Sequence, residues 1–474
     1  MARGLGLAAV LCGVAIFPIR LSAQNDPAIN AEARAIFQQL IEINTSDSVG
    51  SVTKASEAMA QRLLAAGFSE KDVVVAGPNE RKKNLVVRYH GSDTKKAILF
   101  IGHLDVVEAR REDWSVDPFQ FIEKDGFFYG RGTQDMKFGD AILVETFARL
   151  KREGFVPDRD LILALTADEE GGDYNGIDWL LKQHRDWVDA EFCINLDGAE
   201  FEKLKGKRVL AGMQASEKVY ADFQFETRNP GGHSSVPGAE NAIYELSAAL
   251  LKVQAYSFPV EINEITRNYF AHAATLTTGQ LSGDLRGAAK EPADPESIKR
   301  LSNNPYYNSL LHTTCVATML SGGHAPNALP QMARANVNCR IFPGEDPEHV
   351  RKALERVAAD PKLSITAVAQ KTADGQLIPV VTVPPSPLLP EVTGALNRTL
   401  ATMWSGVPIV PTMSTGATDG KYLRIAGIPT FGIACTFFDM EDHRSHGKDE
   451  RVGVQDFYDG VEFGYRFVKT LSSK

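Results

Sequence analysis

Three apolar runs separated by helical patterns constrain the fold of this chain more than any other feature. The runs cover residues 97–101, 160–166 and 191–195, and acidic or imidazole side chains follow each of them. Apolar runs of this length that alternate with helices predict buried strands of an α/β sheet. Because ligands bind at the carboxyl ends of strands in open α/β sheets, we expect these polar residues to share one edge.

The pattern changes near residue 216 and returns near residue 383, which indicates that a second unit interrupts the first. Within the interruption, strands, two helices and a glycine-rich loop predict a two-layer α+β unit, while residues 267–307 show no clear element. A chain of 474 residues is also too long for one ordinary core. The predicted organisation is an inserted domain, residues 216–382, within a split α/β domain, residues 24–215 and 383–474.

Composition and the first residues indicate an exported globular protein. The formal net charge is −9 and 43% of residues are hydrophobic, an acidic balance that argues against nucleic acid or an anionic membrane as a partner. Residues 1–23 predict a signal peptide, since Arg3 precedes an apolar stretch and Leu21-Ser22-Ala23 resembles a cleavage site. The stretch is short for a membrane span, so periplasmic or secreted localisation is expected over an uncleaved anchor.

The four cysteines beyond the signal lie in apolar, strand-like surroundings, and none forms a Cys-x-x-Cys pair: Cys193, Cys315, Cys339 and Cys435. A chain this large does not depend on disulfides for a stable core. We therefore predict buried free thiols, although four cysteines formally allow three pairings.

Five predicted loops carry groups that could bind metal ions, each at or just beyond a predicted strand end: His103, Asp135, the pair Glu169-Glu170, Asp197 and His446. Mixed imidazole and carboxylate ligands suit zinc and, less tightly, cobalt or manganese. A shared aspartate could bridge two ions, and a glutamate left unligated could accept a proton from water during hydrolysis. Asp105 could hold one imidazole nitrogen of His103. The alternative is that these acids are ordinary turn formers and that His446 is a surface residue.

Eight motifs, in order along the chain, resemble those of the M20 family of metallopeptidases. They are GHLDVV at 102–107, GRGTQDMK at 130–137, ADEEGG at 167–172, NLDG at 195–198, NPGGHSS at 229–235, NALP at 327–330, RIFPGED at 340–346 and RSHGKDE at 444–450. The family includes carboxypeptidase S, carnosinase-type dipeptidases, aminoacylase, acetylornithine deacetylase and glutamate-releasing carboxypeptidases. The resemblance implies a split zinc-exopeptidase-like catalytic domain with an inserted, ferredoxin-like α+β lid domain.

The resemblance also implies a centre of two zinc ions per chain, for which cobalt or manganese could substitute. His103, Asp135 and Asp197 would bind one ion, and Asp135, Glu170 and His446 would bind the other. Asp135 would therefore bridge the two ions.

Other residues of the same motifs match catalytic positions of the family. Glu169 would be the general base, and Asp105 would orient His103. The peptide bond between Asp135 and Met136 would be cis. These roles all concern the edge of the first predicted sheet.

Three residues of the inserted unit match lid positions of the family. His233 would stabilise the developing oxyanion, and Asn327 and Arg340 would hold the backbone or the carboxylate of the substrate. Because many members dimerise through the lid, a homodimer is expected. His233 could act on its own chain or across that dimer.

Asp197 bears on the choice of substrate. Aminoacylase, acetylornithine deacetylase and the glutamate carboxypeptidases carry Glu at this position, whereas Asp resembles carnosinase-type dipeptidases and carboxypeptidase S. We therefore expect a peptidase that releases residues from short peptides, with an N-acyl-amino-acid amidohydrolase as the alternative. A non-catalytic binding protein is disfavoured because no ligand and no general base is missing. The preferred substrate side chain does not follow from the sequence.

Overall fold

The computed structural model describes residues 26–199, 201–371, 377–378 and 380–473. The predicted signal peptide and Cys12 lie outside these residues. The helices are α1 (Pro27–Glu42), α2 (Val52–Ala65), α3 (Lys137–Arg152), α4 (Gly176–Gln183), α5 (Arg185–Val188), α6 (Ala242–Ala255), α7 (Glu264–Leu276), α8 (Gly279–Ala288), α9 (Pro295–Leu301), α10 (Pro305–Leu311), α11 (Pro347–Ala358), α12 (Pro390–Met403), α13 (Gly420–Ile425) and α14 (Val454–Leu471).

The strands follow the same chain-order numbering. They are β1 (Val73–Ala76), β2 (Asn84–Tyr89), β3 (Ile98–His103), β4 (Ile122–Lys124), β5 (Phe127–Tyr129), β6 (Leu161–Thr166), β7 (Phe192–Asn195), β8 (Phe201–Leu204), β9 (Lys207–Glu217), β10 (Val219–Arg228), β11 (Gly232–His233), β12 (Thr314–Gly322), β13 (Ala328–Leu329), β14 (Met332–Ile341), β15 (Ser364–Val368), β16 (Gln370–Lys371), β17 (Leu377–Ile378), β18 (Ile409–Ser414), β19 (Thr430–Gly432), β20 (Phe437–Asp439) and β21 (Arg451–Gly453).

The larger sheet is the predicted α/β sheet, and its order is β1-β2-β6-β3-β7-β19-β9-β8-β20 with β18 beside β9. β3 pairs in parallel with β6 on one side and with β7 on the other. Alternate side chains of β3 and β6 enter two different cores, Phe100 and Leu163 in one, Ile101 and Ala164 in the other. Burial on both faces explains why these strands are continuous apolar runs in the sequence.

The smaller sheet is antiparallel, with the order β12-β14-β10-β15, and α6 and α11 pack on it. Buried residues alternate with half-buried ones along β10 and β14, because only one face of each strand packs against helices. Phe223, Phe225 and Val337 belong to a separate core between the smaller sheet and these helices. The α+β unit predicted from the sequence is thus present, while its bounds at 216 and 382 stay a prediction.

Residues 264–311 form the helices α7 to α10, where the sequence pattern predicted no regular element. That prediction was wrong because these helices are short and are specified by their first residues rather than by a long apolar period. Asn263 caps α7 in a capping box, and Asp294 and Asn304 cap α9 and α10 ahead of prolines. Their buried side chains, such as Phe270 and Leu285, join the core of the larger sheet.

Cys315 and Cys339 form a disulfide between directly opposed positions of β12 and β14, with their Cα atoms 4.1 Å apart. The prediction of free thiols was wrong for this pair, because the pairing depends on a strand register that cysteine spacing does not reveal. Cys193 and Cys435 are buried free thiols, as predicted.

Candidate metal centre

The carboxyl ends of three neighbouring strands bring the predicted metal ligands to one edge of the larger sheet. β3 ends at His103, β6 ends just before the turn at 168–170, and β7 ends two residues before Asp197. Asp135 lies in the loop before α3, and His446 in the loop before β21. The predicted convergence on one edge is therefore observed.

The donor atoms form two groups that share Asp135. In the first group, Nε2 of His103 lies 3.1 Å from Oδ1 of Asp135 and 3.8 Å from Oδ2 of Asp197. In the second group, Nε2 of His446 lies 3.1 Å from Oδ2 of Asp135 and 2.9 Å from Oε2 of Glu170. Each group has its potential ligand atoms within 4.8 Å of one another. The two oxygens of Asp135 face different histidines, as a bridging carboxylate requires.

These separations suit metal ions with nitrogen and oxygen ligands. Zinc–ligand bonds of about 2.0–2.2 Å in a tetrahedral site place neighbouring donor atoms about 3.4 Å apart. The nitrogen–oxygen distances within the two groups run from 2.9 to 3.8 Å. The residues present could therefore hold a pair of ions without rearrangement of the strands.

The electrostatics of the cluster also favour a bound cation. Burial raises the pKa of Glu169 and the pKa of Asp197 well above their usual values, and neighbouring carboxylates raise both further. Hydrogen bonds to Asp135 and Glu170 raise the pKa of His446 to about 10. Carboxyl groups this close cannot all ionise without a compensating positive charge, which divalent ions would supply.

Asp105 supports two parts of the site. Nδ1 of His103 lies 3.0 Å from the backbone carbonyl oxygen of Asp105 and 3.7 Å from its carboxylate. The carboxylate instead accepts the backbone N–H groups of Glu169 and Glu170, at 3.2 and 3.0 Å. The orientation of His103 that we predicted for the Asp105 side chain thus comes mainly from its backbone. The side chain fixes the turn that carries the two glutamates.

Other residues near the site were not predicted from the sequence as functional residues. Lys82 forms a buried ion pair with Asp168, which has a φ of 57° at the start of the glutamate turn. Asp419 accepts hydrogen bonds from Thr166 at 2.8 Å and from Asn175 at 2.6 Å. Neither Asp419 nor Lys82 was predicted, although the two glycines near Asp419, at 416 and 420, are typical of a loop.

The peptide bond between Asp135 and Met136 is cis, as the resemblance implied. A cavity of about 420 Å³ opens on four of the five candidate metal ligands, Asp135, Glu170, Asp197 and His446. Besides these ligands and Glu169, its lining is mostly neutral, with apolar groups at Met136, Phe138, Leu196, Ala417 and Ala434 and polar groups at Gln134, Gln214, Ser414, Thr418, His443 and Ser445. Among the described residues, no lysine or arginine lines this cavity.

The three predicted lid residues lie away from the cavity. β11 pairs with β13, which places His233 opposite Ala328 and beside Asn327, with both predicted residues exposed. Arg340 lies on β14, where its guanidinium stands 4.7 Å above the ring of Tyr220. Within the part of the chain described here, none of the three belongs to the cavity lining. A single chain in this conformation therefore does not bring them to the metal ligands.

The fold and the paired donor groups define a class, the metallohydrolases. The chain belongs to peptidase family M20/M25/M40, whose model matches residues 99–470, and it is one of the peptidases and amidohydrolases of that family. It is 26% identical over 405 residues to the human N-fatty-acyl-amino acid synthase/hydrolase PM20D1, which covers 81% of this chain and 76% of that protein. Probable carboxypeptidase S-like 2 of Dictyostelium discoideum is 26% identical over 401 residues, covering 81% and 74%.

Solved structures of the family have the same fold. An M20 metallo-carboxypeptidase from Sulfolobus solfataricus matches with a TM-score of 0.67 and 14% identity, over 93% of this chain and 99% of that one. A dinuclear metal-binding M20 peptidase from Bacillus subtilis matches with a TM-score of 0.57 and 13% identity, over 94% and 100%. The predicted family and the predicted fold class are thereby confirmed. Within the described residues, no helix combines the length and apolar character needed to cross a bilayer.

Proposed function

We propose that this chain is a dinuclear zinc hydrolase that cleaves one amide bond of a small substrate with a free carboxylate. The observation that carries this proposal is the bridging position of Asp135, with 3.1 Å from each of its oxygens to a different histidine. The Bacillus subtilis relative described as a dinuclear metal-binding peptidase supports it. Zinc is proposed over cobalt or manganese because imidazole and carboxylate donors at these spacings suit it best.

The residues of the two donor groups would hold the two ions. The ions would polarise the substrate carbonyl and lower the pKa of a nearby water. Glu169 lines the cavity but belongs to neither donor group, so its carboxylate can take a proton from that water and pass it to the leaving nitrogen. Asp105 holds Glu169 in place through the backbone N–H of Glu169.

The cavity lining favours a substrate with a neutral acyl group. The carboxylates that line the cavity are all assigned to the ions or to the base, namely Asp135, Glu169, Glu170 and Asp197. The α-ammonium group of a peptide would find no further carboxylate there, and burying an unpaired charge is costly. An apolar acyl chain could instead pack on Met136, Phe138 and Leu196. N-acyl amino acids are therefore our first substrate class, in line with the activity for which the human relative is named, N-fatty-acyl-amino acid synthase/hydrolase.

Short peptides are the second candidate class, and one observation favours them. A neighbouring cavity of about 290 Å³ shares Gln134 with the first and is lined by both acids and bases: Lys203, Asp439, Glu441, Asp442, Arg451 and Asp456. Arg451 pairs with Asp442 and Lys203 pairs with Asp456. Asp439 and Glu441 could receive the amino end of a peptide that extends beyond the metal cavity. The carboxypeptidase S-like relative supports this class as well.

Amino acid release from matched substrates tests the proposal. N-acetyl-leucine, N-dodecanoyl-leucine and alanyl-leucine share one leaving group and differ only in the acyl side. On the zinc-loaded chain we expect kcat/KM to be about tenfold or more higher for the acyl substrates, because the ammonium group is left unpaired. A chelator should abolish release, and added zinc should restore it.

Glu169→Gln is the matched control, since it keeps the size of the side chain but cannot accept a proton. It should retain two ions and lower kcat by a factor on the order of 10² or more. Faster turnover of alanyl-leucine would favour the peptidase, and no release from any substrate at full metal content would overturn the proposed activity.

We also propose that two chains associate through the lid. β12 is an edge strand of the smaller sheet, and it exposes Val316, Met319 and Leu320 to 60, 71 and 66%. On α6 beside it, Tyr244 and Leu251 are also exposed. An open strand edge flanked by apolar surface is suited to pairing with a second copy. Sedimentation velocity should give a dimer, and Leu320→Lys should give a monomer.

A further inference from the structure

A buried ion pair joins the loop that carries Asp135 to the loop that carries His446. Nη1 of Arg131 lies 2.5 Å from Oε2 of Glu450, and the two side chains are only 2% and 0% exposed. Within the described residues, neither side chain belongs to a donor group or to the lining of the metal cavity. The pair therefore does not act by touching a substrate.

On one side, the Glu450 carboxylate fixes the loop before α3. It accepts the backbone N–H groups of Gly132 at 3.2 Å, Gln134 at 2.6 Å and Asp135 at 3.0 Å. Charge-assisted hydrogen bonds of this kind are stronger than neutral ones. Because one of the three donors is the amide of Asp135, the carboxylate holds the proposed bridging ligand directly.

On the other side, Arg131 fixes the backbone around His446. Its Nη2 donates to the carbonyl oxygens of Gly447 at 3.0 Å and His446 at 3.4 Å. His446 has a φ of 62°, a conformation that a residue with a side chain adopts only when its surroundings impose it. The guanidinium also lies 4.9 Å above the ring of Trp114, which limits its movement.

Gln134 adds a second connection between the same two loops. Its side-chain Nε2 donates to the carbonyl oxygens of Asp442 at 3.2 Å and Arg451 at 3.0 Å. Its Oε1 accepts the backbone N–H of Arg444 at 2.6 Å. Each of these contacts falls just before or just after His446, so the two loops are joined as one unit.

We propose that Arg131 and Glu450 are positioning residues that set the placement of His446 relative to Asp135, and hence the affinity of the metal site formed with Glu170. This inference rests on the proposed dinuclear function. The other site shares Asp135, but its remaining ligands, His103 and Asp197, come from β3 and from the end of β7, which the sheet holds without help from the ion pair. Loss of such outer support typically costs 10–100-fold in metal affinity, so the loss should fall mainly on one of the two ions.

Titration of the metal-free chain with Co²⁺, followed by calorimetry and by the visible spectrum, tests this proposal. The unmodified chain should bind two ions. Glu450→Gln keeps the shape of the side chain but lacks the charge that pairs with Arg131. It should bind the ion held with Glu170 and His446 about 10–100-fold more weakly, and the other ion with a clearly smaller loss, because Asp135 is shared by both sites. Arg131→Lys keeps a charge but cannot reach Glu450 and Gly447 together, so a smaller loss at the same ion is expected.

Glu145→Gln is the matched control, because Glu145 is also a buried carboxylate paired with an arginine, Arg152 at 3.0 Å. It should change stability and leave both cobalt affinities unaltered. Unchanged binding of both ions in Glu450→Gln, or equal losses at both sites, would overturn the proposal. If Glu450→Gln does not fold, Arg131→Lys decides by the same criterion. An unmodified chain that binds fewer than two ions would instead overturn the dinuclear function, which separates the two failures.

Discussion

The metal edge and the paired lid strands β11 and β13 differ in how completely each is assembled. At the metal edge, His103 is 2% exposed and the oxygens of Asp135 each lie 3.1 Å from a histidine. On the lid, His233 and Asn327 are exposed on the paired strands β11 and β13, away from the metal cavity. One chain thus organises the groups that would hold metal. The three predicted lid groups, His233, Asn327 and Arg340, would reach a substrate at that edge only through a lid movement or from a second chain.

The difference follows from what supports each region. Three of the proposed ligands, His103, Glu170 and Asp197, lie at or just beyond the ends of buried parallel strands. Backbone and side-chain hydrogen bonds hold the loops that carry the other two, Asp135 and His446. The lid strands β11 and β13 have two residues each, and a pair of strands this short gains little from burial. Preorganisation is therefore concentrated where charge must be held, and mobility is expected where a substrate must enter.

Removal of Asp135 should have the largest effect, because its two oxygens serve both donor groups. Asp135→Ala should lose both ions and hydrolyse amides below the limit of detection, as measured by elemental analysis and amino acid release. The matched variant Glu170→Ala should lose mainly one ion, since Glu170 belongs to a single donor group. Full metal content in Asp135→Ala would rule out the bridging role.

A substitution of His233 tests the role of the lid strands, which one chain does not bring to the metal cavity. If this imidazole donates to the developing oxyanion, His233→Ala should keep both ions and a nearly unchanged KM while kcat falls by roughly 10²–10³. Steady-state kinetics at full metal loading measures this split. Mixing His233→Ala with Glu169→Gln should restore some activity in hybrid dimers if a lid serves the other chain. Normal rates in His233→Ala would leave the lid with a binding role alone.

Arg340 should give a smaller and more selective effect. Its guanidinium lies above the ring of Tyr220 and forms no ion pair among the described residues, so its N–H groups are available to donate to a substrate carboxylate. Arg340→Lys loses the two-pronged geometry and should raise KM about tenfold for substrates with a free carboxylate, with little change for amidated ones. Equal losses on both kinds of substrate would argue against the anchor.

The smallest expected effect concerns Glu145, a buried residue in the middle of α3. Burial, assisted by Glu32, raises the pKa of Glu145 to about 8. The folded protein therefore binds this proton more tightly than the unfolded chain, and the stability gained is complete below about pH 4.5 and lost as the pH rises to about 8. Glu145→Gln should remove this part of the pH dependence and raise Tm at pH 8 by about 1–3 °C. Thermal unfolding between pH 5 and 9 measures it, and parallel curves for the two proteins would contradict the assignment.

The sequence predicted the metal edge well because short local signals specify it. His103 and Asp197 directly follow buried strands that read as apolar runs, and the motif around Asp135 is contiguous. Contacts between distant segments could not be predicted in this way. The ion pair between Arg131 and Glu450 spans 319 residues, and the disulfide between β12 and β14 depends on strand register. Helices α7 to α10 were not predicted because their apolar residues pack against the core of the larger sheet, which is formed by residues distant from them in the sequence.

The position of β19 in the larger sheet has a consequence for the order of folding. This strand, at Thr430–Gly432, lies between β7 and β9, which are formed by much earlier residues. During synthesis the facing edges of β7 and β9 stay unpaired until β19 is made, and such edges readily pair with other chains. Pairing across so much sequence is also slow. His446, the last proposed ligand along the chain, lies 14 residues after the end of β19. The larger sheet therefore closes shortly before that ligand is made, and a chain that stops before residue 446 would lack part of the proposed metal centre.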